Sequence, residues 1–95
     1  MKVLPSDSLS YRVRAWLAAT FPVDYDSYIH SPRWRRKADA AKRRAGYRCQ
    51  SCSAMAGEVT LDAHHNNYRT LGFEDARDLF VMCRRCHRRV HGRPT

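Results

Sequence analysis

Four cysteines fall as two Cys-x-x-Cys pairs, Cys49/Cys52 and Cys83/Cys86, and this spacing constrains the fold more than any other feature of the chain. Two such knuckles separated by a hairpin-sized insert are the arrangement of a four-thiolate zinc site, in which one ion ties together two distant stretches of backbone. With 95 residues the chain has room for a single domain, and a domain this small buries a low fraction of its surface and gains most from a staple. Disulfides are the first competing use of the cysteines. They need an oxidising compartment, yet Met1-Lys2-Val3-Leu4-Pro5 has no apolar leader segment and no later run is long enough to span a membrane, so a cytoplasmic setting is expected. A redox dithiol is the second, and it would ask for one Cys-x-x-Cys in a βαβ setting, which is not the pattern here.

The second pair opens the stretch Cys83-Arg84-Arg85-Cys86-His87-Arg88-Arg89-Val90-His91. Read as the start of a helix, it puts Cys83, Cys86 and Val90 on one face and His87 and His91, four apart, on the adjoining one. Arg84/Arg88 and Arg85/Arg89 form two further stripes that suit a polyanion or solvent. Charge points the same way. The chain carries a formal +9, with eight Lys/Arg between residues 33 and 48 and five more between 84 and 93, so the basic surface flanks both knuckles. Nucleic acid is the expected partner class; no membrane partner is expected.

Leu9, Val13, Trp16 and Leu17 repeat at helical spacing and predict an amphipathic packing helix, begun at Ser6, Asp7 or Ser8 and ended by Phe21-Pro22. Residues 23–29 are aromatic-rich but aperiodic and read as an ordered connector, with His30 as a structural or exposed histidine. Ser31-Pro32 predicts the start of a second helix, whose apolar face is Trp34, Ala38, Ala41 and Ala45 and whose stop is Gly46. Its other faces carry Arg33, Arg35, Arg36, Lys37, Lys42, Arg43 and Arg44. Residues 58–65 alternate as a half-buried strand, with Val59, Leu61 and Ala63 facing in. Strict alternation sends His64 and His65 to opposite faces, so both can serve one site only where the strand ends and its pleat relaxes. A long loop then leads to a short strand over residues 79–82, which delivers the chain to Cys83.

Together these stretches resemble the HNH endonuclease family. The likeness rests on Tyr28-Ile29-His30-Ser31-Pro32-Arg33-Trp34, Gly46-Tyr47-Arg48-Cys49-Gln50-Ser51-Cys52, Leu61-Asp62-Ala63-His64-His65-Asn66-Asn67-Tyr68, Leu71-Gly72-Phe73-Glu74 and residues 78–91, which occur in the family's order. The resemblance implies an α+β fold: a small zinc-stapled ββα-metal, treble-clef-like domain over residues 28–95, preceded by an N-terminal helix and connector over residues 1–27. It further implies that His64 is a ligand of a catalytic divalent metal, His65 the general base, His87 a second ligand and His91 a third. Cys49, Cys52, Cys83 and Cys86 match the family's zinc knuckles. Asp78 stands where the motif has asparagine, and either pins the loop by accepting a backbone N–H or takes part at the metal.

The function so implied is metal-dependent hydrolysis of DNA phosphodiester bonds, by nicking or double-strand cleavage, with His65 activating water. Such a reaction needs a base near neutral pH, a cation against the phosphate and stabilisation of the departing 3′-oxygen. A histidine ligand set favours Zn2+, Ni2+ or Mn2+ over Mg2+, and a carboxylate from Asp62 or Asp78 would shift that balance. Arg33, Arg36, Lys37, Arg43, Arg44, Arg84, Arg85, Arg88 and Arg89 are the expected DNA contacts, in a monomer or weak dimer. The alternative is a zinc-stapled DNA-binding module, or an accessory subunit of a phage DNA-packaging machine, since members of this family often work beside packaging proteins.

Overall fold

The computed structural model describes residues 9–91, without the side chain of His91; the cap candidates Ser6, Asp7 and Ser8, and Arg93, lie outside the described residues. The described chain is α+β, with four α-helices around one two-stranded antiparallel sheet. Helix α1 spans Tyr11–Thr20, α2 Tyr25–Ile29 and α3 Pro32–Arg44; strands β1, Leu61–His65, and β2, Leu79–Cys83, precede α4, Arg84–His91.

The middle helix forms where local chemistry demands it. Ser31 Oγ accepts the N–H of Trp34 at 3.2 Å, and Pro32 fills the first helical position, where its missing N–H costs nothing. At the other end the N–H of Tyr47 reaches Lys42 O and that of Gly46 reaches Arg43 O, both at 2.9 Å. This double bond pattern needs a left-handed residue after the cap, and Gly46, at φ +71°, provides it. Ala38 and Ala41 are buried and Trp34 and Ala45 half-buried, so α3 lies along both strands with its small face inward.

The first helix departs from expectation. Its cap is Ser10, whose Oγ accepts the N–H of Val13, and half of the expected packing stripe faces out: Val13 is 43 % and Trp16 60 % exposed, while Leu9 and Leu17 are half-buried. Arg14 and Ala18 are buried instead. The rotation follows from electrostatics, because Arg14 meets the carboxylates of Asp75 and Asp78 beneath the helix, and leaving these groups buried without a cation would cost more than exposing a tryptophan. Residues 25–29 also correct the connector reading. They form a short helix capped by Asp24, whose carboxylate accepts the N–H of Ser27 at 3.0 Å, and five residues are too few for a periodic pattern.

β1 pairs with β2 from Leu61 opposite Cys83 to His65 opposite Leu79. The strand is shorter than expected, since residues 55–59 make only isolated bridges, while β2 runs one residue longer. Cys83 therefore closes the ladder rather than opening the helix, held by the Arg84 N–H to Thr60 O at 2.9 Å. The consequence is that Val90, expected beside the cysteines, is 54 % exposed. The core gathers Ala41, Leu61, Leu79, Val81 and Met82 around Cys49, Cys83 and Cys86.

Candidate metal centre and histidine cleft

The four cysteine sulfurs lie within 4.8 Å of one another. Cys52 Sγ and Cys83 Sγ are 3.8 Å apart, far beyond a disulfide bond and equal to the edge of a sulfur tetrahedron built on Zn–S bonds of about 2.3 Å. Local backbone makes the pocket. The N–H groups of Ser51 and Cys52 point at Cys49 Sγ at 3.4 and 3.3 Å, and that of Cys86 points at Cys83 Sγ at 3.4 Å. Gln50 ties the first knuckle to β2 in both directions, its N–H donating to Val81 O and its Oε1 accepting from Val81 N. Burial pushes the Cys49 thiol up, but N–H groups from Cys83, Cys52 and Ser51 bring it down to about 6. The Cys86 N–H lowers Cys83, while Cys86 is pushed up to about 11, first by its hydrogen bond with Cys83 and then by burial. Thiolate is thus favoured at two sulfurs and the proton retained at a third, a donor set that could hold a structural cation such as zinc.

The histidines divide between the faces of β1. The ladder continues through His65, so His64 and His65 project to opposite sides, and residues from both faces of β1, Asp62 and His65 among them, meet only in the cleft along its edge. His64 meets His87 of α4, ring centroids 5.1 Å apart and steeply inclined. Asp62, on the same face of β1 as His64, places Oδ2 3.4 Å from His87 Nδ1. His91 ends α4 one turn beyond His87. Among the described residues, the cysteine cluster is the one place where three or more cysteine, histidine or acidic side chains converge closely enough to hold a metal.

His65 is 6 % exposed and stacks on Trp34, ring centroids 4.6 Å apart. Its Nε2 lies 2.5 Å from Glu74 Oε2. Glu74, 1 % exposed, also accepts Tyr28 Oη–H on Oε1 at 2.6 Å, with Lys37 Nζ 3.5 Å from the same oxygen and donating to the Glu74 carbonyl at 2.6 Å. Burial raises the Glu74 carboxyl, but the bonds from His65 and Tyr28 and the charge of Lys37 hold it below its ordinary value. Burial, helped by Glu74, pushes the Tyr28 hydroxyl far up, so it stays a donor. A cleft of about 350 Å³ runs along the outer edge of β1, lined by Tyr25, Ile29, Trp34, Asp62, His65 and His87 among others.

Glu74 sits in the loop between the strands, and that loop is pinned along its length. Arg33 donates to Gly72 O and lies over the rings of Tyr28 and Phe73. Gly72 has φ +93°, and a Cβ there would meet Val23 at 3.0 Å, so the close approach and the backbone both require glycine. Asp78 Oδ2 accepts from Arg14, from Thr70 Oγ1 at 3.0 Å and from the Asp75 N–H at 3.2 Å. Asp75 and Asp78 make a reciprocal cap around the 3₁₀ turn Ala76–Asp78. The carboxylate at the motif's asparagine position thus faces the loop and α1.

The basic residues separate into two sets. Arg33 and Lys37, expected on the cationic face, serve the loop, and Arg84 lies 3.3 Å from Asp62 in an exposed pair. Arg36, Arg43, Arg44, Arg85, Arg88 and Arg89 are exposed, with no ion pair among the described residues. His30 is exposed and bonds Asp26 O through Nδ1 at 2.7 Å. Sequence reasoning quoted Glu74 only within the Leu71-Gly72-Phe73-Glu74 stretch and passed over Arg14; Tyr28 and Lys37 lie 46 and 37 residues from Glu74, and Asp78 lies 64 from Arg14. No helix of the described residues is long and apolar enough to cross a membrane. Compared with protein-family models, with curated proteins and with solved structures, the chain matches none. Fold and site together define a small α+β domain with a four-cysteine centre able to hold a metal ion.

Proposed function

We propose that this chain is a metal-dependent DNA endonuclease of the HNH type, its β1, β2 and α4 forming the ββα unit and its cysteines the structural zinc site. The observation that carries the reading is the approach of His64 and His87, with Asp62 beside them, next to a cleft that also holds His65. His64 and His87, with His91 following on α4, are the residues that would hold Mg2+, Mn2+, Ni2+ or Zn2+, and Asp62, 3.4 Å from His87 Nδ1, would orient that ring. When bound, such an ion neutralises charge on a scissile phosphate and stabilises the departing 3′-oxygen. His65 takes a proton from water, whose oxygen attacks phosphorus; the P–O3′ bond breaks and the 3′-oxygen is protonated from solvent. Arg36, Arg43, Arg44, Arg85, Arg88 and Arg89 hold the backbone through its phosphates.

A second reading, a zinc-stapled DNA-binding module or accessory packaging subunit, draws on the low exposure of His65, which suits a structural histidine. Supercoiled-plasmid cleavage across the four metals, with DNA and metal titrations in parallel, separates them. The nuclease reading expects metal-dependent nicking by the wild type. His64→Ala and His87→Ala should lose metal binding and activity together, whereas His65→Ala should keep both binding steps and cut slower by roughly a hundredfold to ten-thousandfold. A wild-type protein that nicks with none of the metals, or a His65→Ala protein that nicks as fast as wild type, refutes it.

A further inference from the structure

The buried carboxylate behind His65 has a consequence for which ring nitrogen can act. Both oxygens of Glu74 face donors, Tyr28 Oη and Lys37 Nζ at Oε1 and the His65 ring at Oε2, 2.5 Å away, so the carboxylate accepts and the imidazole proton sits on Nε2. The other nitrogen is then the basic one. Among the described residues no buried side-chain nitrogen or oxygen lacks a hydrogen-bond partner, and the one hydrogen bond of His65 runs through Nε2. Nδ1 is the ring nitrogen that the Glu74 bond leaves over, and His65, although 6 % exposed, lines the cleft it shares with His87 and Asp62.

We propose that Glu74 is the positioning residue of the site: it fixes His65 as the Nε2–H tautomer and so presents Nδ1 to the cleft as the base. This rests on the nuclease reading for what the base does, but the tautomer follows from the network alone. The network is directional. Tyr28 Oη–H and Lys37 Nζ, at 2.6 and 3.5 Å, both present donors to Oε1, leaving Oε2 for the histidine. Trp34 stacked on one side of the ring and Tyr68 tilted against it, centroid distances 4.6 and 5.3 Å, restrict reorientation. Lys37, Arg33 and Arg14 are then parts of the same device, since each fastens the loop that carries Glu74.

Glu74→Gln tests the assignment. The amide oxygen should take the place facing Tyr28 and Lys37, because both are donors, which turns the NH2 toward His65 Nε2. A donor there forces the ring to carry its proton on Nδ1, the nitrogen that should have been basic. The zinc-loaded full chain, 15N-labelled at histidine and observed at alkaline pH, should give the Nε2–H signature in the wild type and the Nδ1–H signature in Glu74→Gln. With plasmid as substrate, kcat should fall by about a thousandfold or more, the scale on which a base in the wrong tautomer fails, while KM and metal binding stay within about twofold. A wild-type Nδ1–H signature overturns the proposal, and this measurement needs no variant to fold. So does a Glu74→Gln protein that keeps Nε2–H, whatever its rate. Absence of nicking by the wild type would end the nuclease reading, and the two spectra would still decide the role of Glu74.

Discussion

Replacing Arg14 by methionine keeps the length and helix propensity of the side chain and removes the cation that α1 buries. Arg14 is 2 % exposed and contacts Asp78 and, at 3.4 Å, Asp75, whose side chain is 1 % exposed. Deleting one partner of a buried ion pair costs about 3–5 kcal/mol, because the remaining charge is stranded. Here the stranding is partial. Asp75 keeps Arg77 at 2.5 Å, and Asp78 keeps Thr70 and the Asp75 N–H, so a loss of about 2–3 kcal/mol at neutral pH is expected. That corresponds to a fall in Tm of roughly 10–20 °C for a domain of this size. The effect should also depend on pH. Burial raises the Asp75 carboxyl, but its bonds from Arg77 and the charge of Arg14 hold it below 3.8. A depressed carboxyl stabilises the fold above its unfolded value and ceases to as pH falls through its folded value, so the gap between wild type and Arg14→Met should narrow below about pH 4. Urea unfolding followed by circular dichroism measures it. Asp78→Asn should relieve part of the Arg14→Met defect, with a coupling of about 1–2 kcal/mol in the double-mutant cycle. A loss under about 0.5 kcal/mol, or strictly additive mutants, would refute the assignment of Arg14 as the anchor of α1.

The cysteine centre should bind one zinc per chain by native mass spectrometry, and Cys83→Ser or chelation should abolish the cooperative unfolding transition, because three of the eight buried core residues are cysteines of that cluster. DNA affinity should fall with salt at a log–log slope of about −0.9 per neutralised phosphate, and Arg85→Ala and Arg89→Ala should weaken unrelated sequences alike. Arg33→Ala, by contrast, should lower stability and leave the salt slope unchanged, since its guanidinium is spent on Gly72, Tyr28 and Phe73.

What could be read in the sequence was what is decided locally. Ser31, Pro32 and Gly46 set the limits of α3 by chemistry within four residues of each end, and the cysteine spacing alone predicted a cluster that the fold closes. The face of α1 was misread for the opposite reason. A hydrophobic stripe is a rule about solvent, and it loses to a guanidinium whose two carboxylate partners lie more than sixty residues away. Glu74 belongs with Arg14. The sequence marks Glu74 only as the end of the Leu71-Gly72-Phe73-Glu74 stretch, and no local rule says that Tyr28, Lys37 and His65 will converge on it from three different elements. The split of His64 from His65 was legible as alternation, but not that pairing with Leu79 would carry the alternation to the last residue.

The two centres are mechanically one. An isolated two-stranded sheet is marginal in water, so the geometry at each end of this one must be imposed from outside. At the Leu61/Cys83 end the cysteine cluster imposes it, fixing the direction in which α4 leaves the sheet. That direction decides whether His87 returns to His64. At the His65/Leu79 end the pinned loop imposes it, through Asp78 on Arg14 and Glu74 on His65. Register places the two ends four residues apart along the strands, about 13 Å, which is too far for direct influence and near enough for a rigid ladder to hold. The proposed catalytic constellation, which would have to be correct to about 0.5 Å, can therefore be disturbed from either end without touching a histidine. It follows that opening of the cysteine cluster and loop release at Arg14 would be distinct lesions. The first should separate His87 from His64; the second should free the Glu74 loop and leave that pair in place.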